Sequence, residues 1–225
     1  MTGSTDSGDS GMWRVAVGVA VGGVVAVALG AVAAWMLTRK LRQKLAVQSL
    51  MEACRTIKVG ETGTATLLPL KLRSEYVSEK VLGRGAFGLV VQAKKRKQDD
   101  VKVAVKMVFP EKGAFDDRDL RQLRREQAVL ELMTLRKCEH AVHLAGLDSA
   151  TIRSDIAWFV TDLLEGVSLE RVLGQSGALD DVECIKMTRN VLAALKLMHD
   201  EGLLHRDVKP SNVMRCRRGA GRASI

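Results

Sequence analysis

A glycine-rich segment followed by strands rather than by a helix is the feature that most constrains the fold of this chain. Residues 83–90 read Gly-x-Gly-x-x-Gly-x-Val, and glycines, which lack a Cβ, let a backbone approach a phosphate closely. The same spacing opens dinucleotide-binding folds, but there a helix follows. Here residues 89–93 are apolar and β-branched, residues 94–100 form a polar turn and residues 101–108 alternate as a second strand. The sequence therefore predicts a β-hairpin and disfavours a nicotinamide-binding fold.

A lysine and a glutamate follow at positions that suit phosphate binding. Lys106 ends the run Val-Ala-Val-Lys on the second predicted strand, from which it would reach the α- and β-phosphates of a nucleotide. Glu126 lies near the middle of a charged amphipathic helix predicted at 116–133. This glutamate either pairs with Lys106 and holds it against the phosphates or joins a surface pair with neighbouring arginines. The order of the motifs favours the pair with Lys106.

Residues 205–212, which read His-Arg-Asp-Val-Lys-Pro-Ser-Asn, have the layout of a phosphoryl-transfer loop. In such a loop Asp207 accepts the proton of an attacking hydroxyl, and Asn212 holds a metal ion. Lys209 would neutralise charge that develops on the moving phosphoryl group. The alternative is a polar turn after a helix, and the number of required residue types at fixed offsets makes it the weaker interpretation. A capped helix predicted over 180–202 would deliver this loop.

These motifs occur in order, and residues 76–214 resemble the eukaryotic protein kinase superfamily. The Lys-Pro-x-Asn run at 209–212 resembles its serine/threonine-specific form. The resemblance implies an α+β fold, in which a kinase-like small lobe of antiparallel sheet plus one helix precedes the first part of a helical large lobe. It also implies ATP and Mg²⁺ as cofactors, a protein substrate that the sequence does not name, Asp207 and Lys209 as catalytic residues, and Asn212 as a metal ligand.

The resemblance also assigns a nucleotide site. Thr161 would be the gatekeeper, and Asp162 and Leu164 would offer backbone groups to the adenine. Ordinary core packing accounts equally well for the apolar members of the site. Val90, Ala104 and Met214 would line the adenine pocket. The full set of implied ATP-binding residues is Leu82, Gly83, Gly85, Gly88, Val90, Ala104, Lys106, Glu126, Thr161, Asp162, Leu164 and Met214.

The sequence after the predicted loop departs from the kinase pattern. No Asp-Phe-Gly follows Asn212, although kinases use its Asp to ligate magnesium. We expect a partial kinase domain at 75–214 and an atypical basic tail at 215–225. A gene-model error, an alternative transcript or a fragment would account for this tail, and a true short tail is the alternative. The apolar face of the helix at 182–198 would then lack partners and lie exposed. A second hypothesis therefore stays open, that of a non-catalytic, kinase-like binding or regulatory module.

Residues 15–37 contain no charged side chain, and as a helix they are long enough to cross a bilayer core of about 30 Å. A cleaved signal peptide is the alternative. The apolar region of a signal peptide should, however, be shorter than this span and should follow positively charged residues. Basic residues at 39–44 follow the span, so the positive-inside rule predicts a single-pass protein with residues 1–14 outside and the kinase region in the cytoplasm. Every fourth residue over 18–34 is Gly or Ala, which would permit weak self-association. A Gly- and Ala-rich span produces such a stripe by chance as well.

The net charge of +9 is distributed unevenly. Residues 39–58 carry +5 and residues 215–225 carry +4, whereas residues 59–214 carry only +1. Nucleic-acid binding is therefore disfavoured, and the basic segment beside the predicted span suits contact with anionic lipid. The alternative for residues 38–74 is a solvated linker, flexible over 56–66.

Overall fold

Helix α1 (Ser10–Thr56) is the first element of the chain. The computed structural model describes residues 10–62, 67–85, 88–146 and 148–216, of which 10–28 and Asp99 are given as backbone only. The chain divides into two units, residues 1–46 and 47–225. The predicted membrane span 15–37 falls within α1, but the side chains of residues 15–28 lie outside the described part. Within that described part, no helix has both the length and the apolar character needed to cross a membrane.

A five-stranded antiparallel sheet in the order β1-β2-β3-β5-β4 forms the small lobe. Its strands are β1 (Tyr76–Gly85), β2 (Gly88–Lys95), β3 (Gln98–Val108), β4 (Ala150–Ile152) and β5 (Ala157–Asp162). Helix α2 (Asp117–Leu135) packs on the sheet through Leu123, which shares a buried cluster with Phe159 of β5. The Asp116 carboxylate caps α2 by accepting a hydrogen bond from the Asp119 amide at 2.8 Å. The predicted α+β small lobe of antiparallel sheet plus one helix is confirmed.

The hairpin formed by β2 and β3 has a shorter turn than the sequence predicts. Only Arg96 and Lys97 form the turn, so the predicted turn at 94–100 is wrong at both ends. The ladder pairs Lys94 with Lys102, because these long side chains can carry their charged ends to water while the backbone continues to pair. The polar composition here therefore reflects exposure to solvent and not the end of a strand.

The C-terminal part of helix α1 belongs to the core of the small lobe. Leu50 and Cys54 are 4% and 6% exposed, and they lie in one buried cluster with Val91 and Val105 of the sheet. Their spacing of four residues places them on one face of the helix. The interpretation of residues 38–74 as a solvated linker is wrong for this part of the helix. It is also wrong for a second group of buried residues in the same stretch. That group consists of Leu67, Leu68 and Leu72.

Helices α3 (Leu169–Ser176) and α4 (Asp181–Asp200) form the described helical part of the large lobe. The Asp180 carboxylate caps α4 by accepting a hydrogen bond at 2.8 Å from an amide of the first turn, and Gly202 follows the helix with a φ of +71°. Both ends agree with the predicted helix at 180–202. The apolar face of α4 predicted to lie exposed is confirmed for three of its side chains, whereas Met198 on the same helix is buried. The three exposed side chains are Val182, Ile185 and Leu192.

Two short strands, β6 (Gly166–Ser168) and β7 (Met214–Cys216), pair antiparallel with each other. In the sequence, β6 precedes helices α3 and α4, and β7 follows them. A single 3₁₀ turn, Pro210–Asn212, leads into β7. The sequence of the atypical tail predicted at 215–225 shows no strand pattern, but Arg215 and Cys216 belong to β7. A ladder of three residues depends on backbone groups alone, so composition gave no sign of it. The remainder of the predicted tail lies outside the described residues.

Candidate active site

Lys106 and Glu126 form an ion pair between strand β3 and helix α2. The Lys106 Nζ lies 2.5 Å from the Glu126 Oε1. The sheet fixes the backbone of Lys106, which pairs with Val90 of β2 on one side and Phe159 of β5 on the other. The two side chains remain 45% and 32% exposed, so a ligand can reach the ammonium group. The predicted pair is therefore confirmed, and the alternative of a surface pair with arginines is not observed.

The residues of the predicted catalytic loop converge on Asp207. The Lys209 Nζ lies 2.9 Å from the Asp207 Oδ2. The side-chain amide of Asn212 donates to the Asp207 carbonyl at 2.8 Å and to its carboxylate at 2.9 Å. The Asp207 amide in turn donates to the Nδ1 of His205 at 3.2 Å. Arg206 has a φ of +63°, a left-handed conformation that costs free energy for a residue other than glycine and is held here by the hydrogen bonds around it.

These contacts determine the protonation state of Asp207. Hydrogen bonds from Lys209 and Asn212 lower the pKa of the Asp207 carboxyl below its ordinary value of 3.8. Because Asp207 is exposed, the desolvation that would raise the pKa is outweighed by these bonds. Asp207 is therefore a carboxylate at neutral pH, and this is the form that can orient a hydroxyl and accept its proton.

The ion pair and the loop face one cleft of about 1030 Å³. This volume lies at the upper end of the range found for small-molecule sites, roughly 300 to 1000 Å³. The cleft between the two groups therefore has the volume of a small-molecule site. Five of the predicted site residues line the cleft, namely Lys106, Glu126, Asp207, Asn212 and Met214.

The other predicted adenine-pocket residues do not line this cleft. Ala104 of β3 pairs with Thr161 of β5, whose hydroxyl donates to the Ala104 carbonyl at 3.4 Å. The Asp162 amide donates to the His143 carbonyl at 2.9 Å. Three further residues lie in β1, in β2 and two residues after the end of β5, namely Leu82, Val90 and Leu164. Their adenine-binding roles stay predictions.

The three glycines of the predicted phosphate loop differ in their surroundings. A Cβ on Gly88 would lie 2.1 Å from the Met107 carbonyl oxygen, so the close approach of β2 to β3 requires a glycine there. At Gly83 and Gly85, no described atom lies within 4 Å of the position that a Cβ would take. Packing inside the described structure therefore does not explain these two glycines, whereas a closely approaching phosphate would.

Sequence reasoning missed the basic residues that helix α2 brings to the cleft. Arg118, Arg121 and Arg125 line it beside Glu126. Their spacings of three and four residues place them on one face of the helix, and that spacing was the signal available in the sequence. The density of charge along the whole helix obscured it. With Lys106, these arginines give the cleft a positive lining that suits an anionic ligand.

The family model described as the protein kinase domain matches residues 76–221, and the chain belongs to this family. It is 30% identical over 151 residues to serine/threonine-protein kinase PkaA of Streptomyces coelicolor and 35% identical over 152 residues to mitogen-activated protein kinase spk1 of Schizosaccharomyces pombe. These matches cover 63% and 65% of this chain but only 26% and 38% of the two relatives. The chain therefore spans well under half the length of these curated relatives.

A solved structure has the same fold. The crystal structure of Rad53 1–466 in complex with AMP-PNP matches with a TM-score of 0.53 and covers 67% of this chain and 37% of that chain. Sequence identity over the match is 24%, so this likeness concerns the fold alone.

Proposed function

We propose that this chain carries the nucleotide-binding part and the catalytic loop of a serine/threonine protein kinase, which transfers the γ-phosphoryl group of ATP to a protein hydroxyl. The observation that carries the proposal is the Lys106–Glu126 ion pair, which faces the same cleft as Asp207 and Asn212. A lysine held by a carboxylate is placed to bind the α- and β-phosphates. The ionised Asp207 would accept the hydroxyl proton, and Lys209 beside it would add positive charge where the phosphoryl group passes.

The residues present fit a magnesium ion at Asn212. The side-chain nitrogen of Asn212 donates to Asp207, so its oxygen is the atom offered to a cation, and Mg²⁺ prefers oxygen ligands. When bound, the ion would neutralise charge on the phosphates. Over the described residues, no cluster of three or more His, Cys, Asp or Glu residues could hold a metal by itself. Mg²⁺ commonly takes only one or two protein ligands and completes its shell with phosphate oxygens and water.

Nucleotide binding tests the first half of the proposal. The 225-residue chain should bind a fluorescent ATP analogue in the presence of Mg²⁺, and Lys106→Met should weaken binding by about tenfold or more, since a hydrogen bond to a charged group contributes roughly 1.5 to 3 kcal/mol. Lys102→Met is the matched control, because Lys102 is an exposed residue of the same strand. Equal binding by both variants and the wild type would contradict the proposal.

Phosphoryl transfer tests the second half. Because no Asp-Phe-Gly follows Asn212 within the 225 residues, we expect this polypeptide alone to bind nucleotide without transferring phosphate. A version extended through an in-frame Asp-Phe-Gly and large lobe should phosphorylate a generic protein substrate, and Lys106→Met should abolish that activity. Turnover by the 225-residue chain that depends on Lys106 would overturn the first expectation.

We also propose that residues 15–37 anchor the protein in a membrane, with the kinase region in the cytoplasm. The absence of charge over this span and the basic residues at 39–44 support the proposal. Glycosylation acceptor sites introduced before residue 10 and after residue 60 would report the orientation in microsomes. Modification of the first site alone is expected. Modification of neither site, together with extraction of the protein by alkaline carbonate, would overturn the anchor.

A further inference from the structure

Arg84 closes the C-terminal end of helix α1. It occupies the middle position of the first Gly-x-Gly in strand β1, and its guanidinium donates to three carbonyl oxygens at the helix end. These belong to Arg55 at 2.8 Å, to Cys54 at 2.5 Å and to Ile57. The last carbonyls of a helix lack partners within the helix, and a cation there satisfies them and interacts favourably with the helix dipole. A single side chain therefore ties the glycine-rich strand to the helix that precedes the small lobe.

Backbone hydrogen bonds extend this contact along the sheet. The Gly60 amide donates to the Val81 carbonyl at 2.9 Å, and the Val81 amide donates to the Glu61 carbonyl at 3.2 Å. Thr62 forms a bridge with Lys80 directly beside them. Because β1 is an edge strand of the sheet, these residues cover its free edge and hold the strand from the outside.

Apolar packing holds the same helix from a second direction. Leu50 and Cys54 lie in one buried cluster with Leu89, and Leu89 is the residue of β2 that pairs with Arg84 in the hairpin register. The helix end and the glycine-rich hairpin are thus fixed by one shared set of contacts. Burial also raises the pKa of the Cys54 thiol to about 11, so the thiol stays neutral and poorly reactive while the helix is packed.

From these contacts we propose that Arg84 is a positioning residue for nucleotide binding. Its guanidinium binds the helix end and not the nucleotide, and in doing so it fixes the strand that carries Gly83 and Gly85. Residues 47–62 then act as part of the nucleotide-binding lobe. A loop that is ordered before the ligand arrives loses less conformational entropy on binding. This role rests on the proposed function, because it needs a nucleotide in the cleft.

The test combines an affinity with a readout of helix packing, both measured on the full 225-residue chain. Arg84→Gln should weaken binding of the Mg²⁺-bound fluorescent ATP analogue about fivefold or more, the lower end of typical coupling between two sites. It should also speed alkylation of Cys54 by iodoacetamide, followed by peptide mass spectrometry with the exposed Cys184 as internal reference.

Two further variants sharpen the test. Arg96→Gln removes a contact of the same kind away from helix α1, since the Arg96 Nε donates to the Arg73 carbonyl at 2.8 Å, and it should change neither readout. Leu50→Ala removes apolar packing between helix α1 and the sheet, so it should also speed alkylation of Cys54. Because Leu50 and Arg84 act through one packed helix, their effects on nucleotide affinity should not add in the double variant.

Each outcome separates this role from the proposed function. Unchanged affinity in Arg84→Gln, with Lys106→Met still deficient, overturns the role of Arg84 and leaves the proposed function standing. Weaker binding without faster labelling of Cys54 overturns the route through the helix. Failure of the wild-type chain to bind nucleotide overturns the proposed function and the role of Arg84 together.

Discussion

The Nζ of Lys106 and the Oε1 of Glu126 lie 2.5 Å apart, and this bond joins strand β3 to helix α2. Both side chains are partly exposed, and exposed ion pairs contribute only about 0 to 1 kcal/mol to stability. The importance of the pair is therefore positional, because it fixes the direction of an ammonium group at the edge of a positively lined cleft. Stability and nucleotide affinity should respond very differently when the pair is broken.

Glu126→Gln should weaken nucleotide binding about tenfold, because a neutral amide can accept a hydrogen bond from the ammonium but no longer forms an ion pair with it. The free energy of unfolding should fall by no more than about 1 kcal/mol. Nucleotide titration and urea unfolding of the same preparation measure the two quantities. Glu131→Gln is the matched control, because Glu131 accepts a hydrogen bond from Gln127 on the same helix at 2.7 Å. Equal weakening by both variants would indicate a general effect of helix charge.

Two glycines of the hairpin should affect different quantities, with Gly88 governing stability and Gly83 governing nucleotide binding. Gly88→Ala places a Cβ against the Met107 carbonyl, so the backbone must shift and the protein should lose roughly 1 to 3 kcal/mol of stability. Gly83→Ala meets no described atom within 4 Å and should change stability by less than about 1 kcal/mol. It should nevertheless weaken nucleotide binding, because the methyl group occupies the space that a phosphate would enter.

Urea unfolding and nucleotide titration of both alanine variants provide the measurement. If Gly83→Ala binds nucleotide like the wild type, the open space beside Gly83 is not the phosphate site. If Gly88→Ala is as stable as the wild type, the hairpin tolerates a wider separation of β2 and β3 than its contacts indicate.

Much of this site could be predicted because its residues occupy regular positions. Lys106 follows a strand pattern, Glu126 lies on an amphipathic helix and Asp207 lies in a loop with fixed offsets. Each position is therefore marked by its neighbours in the sequence. The pairing of Lys106 with Glu126 followed from the order of the motifs, and the structure confirms it.

The contact of Arg84 with helix α1 could not be predicted in this way. Its partners are backbone carbonyls 27 to 30 residues away in the sequence, and carbonyls carry no sequence signature. The buried face formed by Leu50 and Cys54 was hidden by the basic residues of the same helix, which suggested a solvated linker. Composition averages over all faces of a helix, whereas packing depends on one of them.

Asp207 provides a prediction about pH. Lys209 is the largest cause of its lowered pKa, so Lys209→Met should move the pKa of Asp207 upward, toward 3.8. When the pKa of a carboxyl is lower in the folded than in the unfolded state, the carboxyl contributes its full stabilisation at pH values above its unfolded-state pKa. This contribution is lost as the pH falls through the folded-state pKa. In the wild type, the stabilisation that Asp207 contributes should therefore be lost below pH 3.8. In Lys209→Met, this stabilisation should itself be smaller.

A ¹³C-detected NMR titration of the Asp207 carboxyl measures this shift directly. Lys196→Met is the matched control, since Lys196 pairs with Asp200 at 2.6 Å on helix α4 and should leave Asp207 unchanged. An Asp207 pKa that is the same in Lys209→Met and the wild type would show that the 2.9 Å contact is not populated in solution.

The exposed face of helix α4 should govern the solubility of the 225-residue chain. Ile185 and Leu192 are 64% and 57% exposed, so replacing both with lysine removes almost no buried apolar surface. The double variant should keep its unfolding midpoint, bind less of the dye 8-anilinonaphthalene-1-sulfonate and resist self-association in sedimentation experiments. Met198→Ala is the contrasting variant, because Met198 is only 2% exposed and its truncation should cost about 2 to 5 kcal/mol. A large loss of stability in the lysine variant would mean that these two side chains are buried in solution, and that the face of α4 has a partner within the chain.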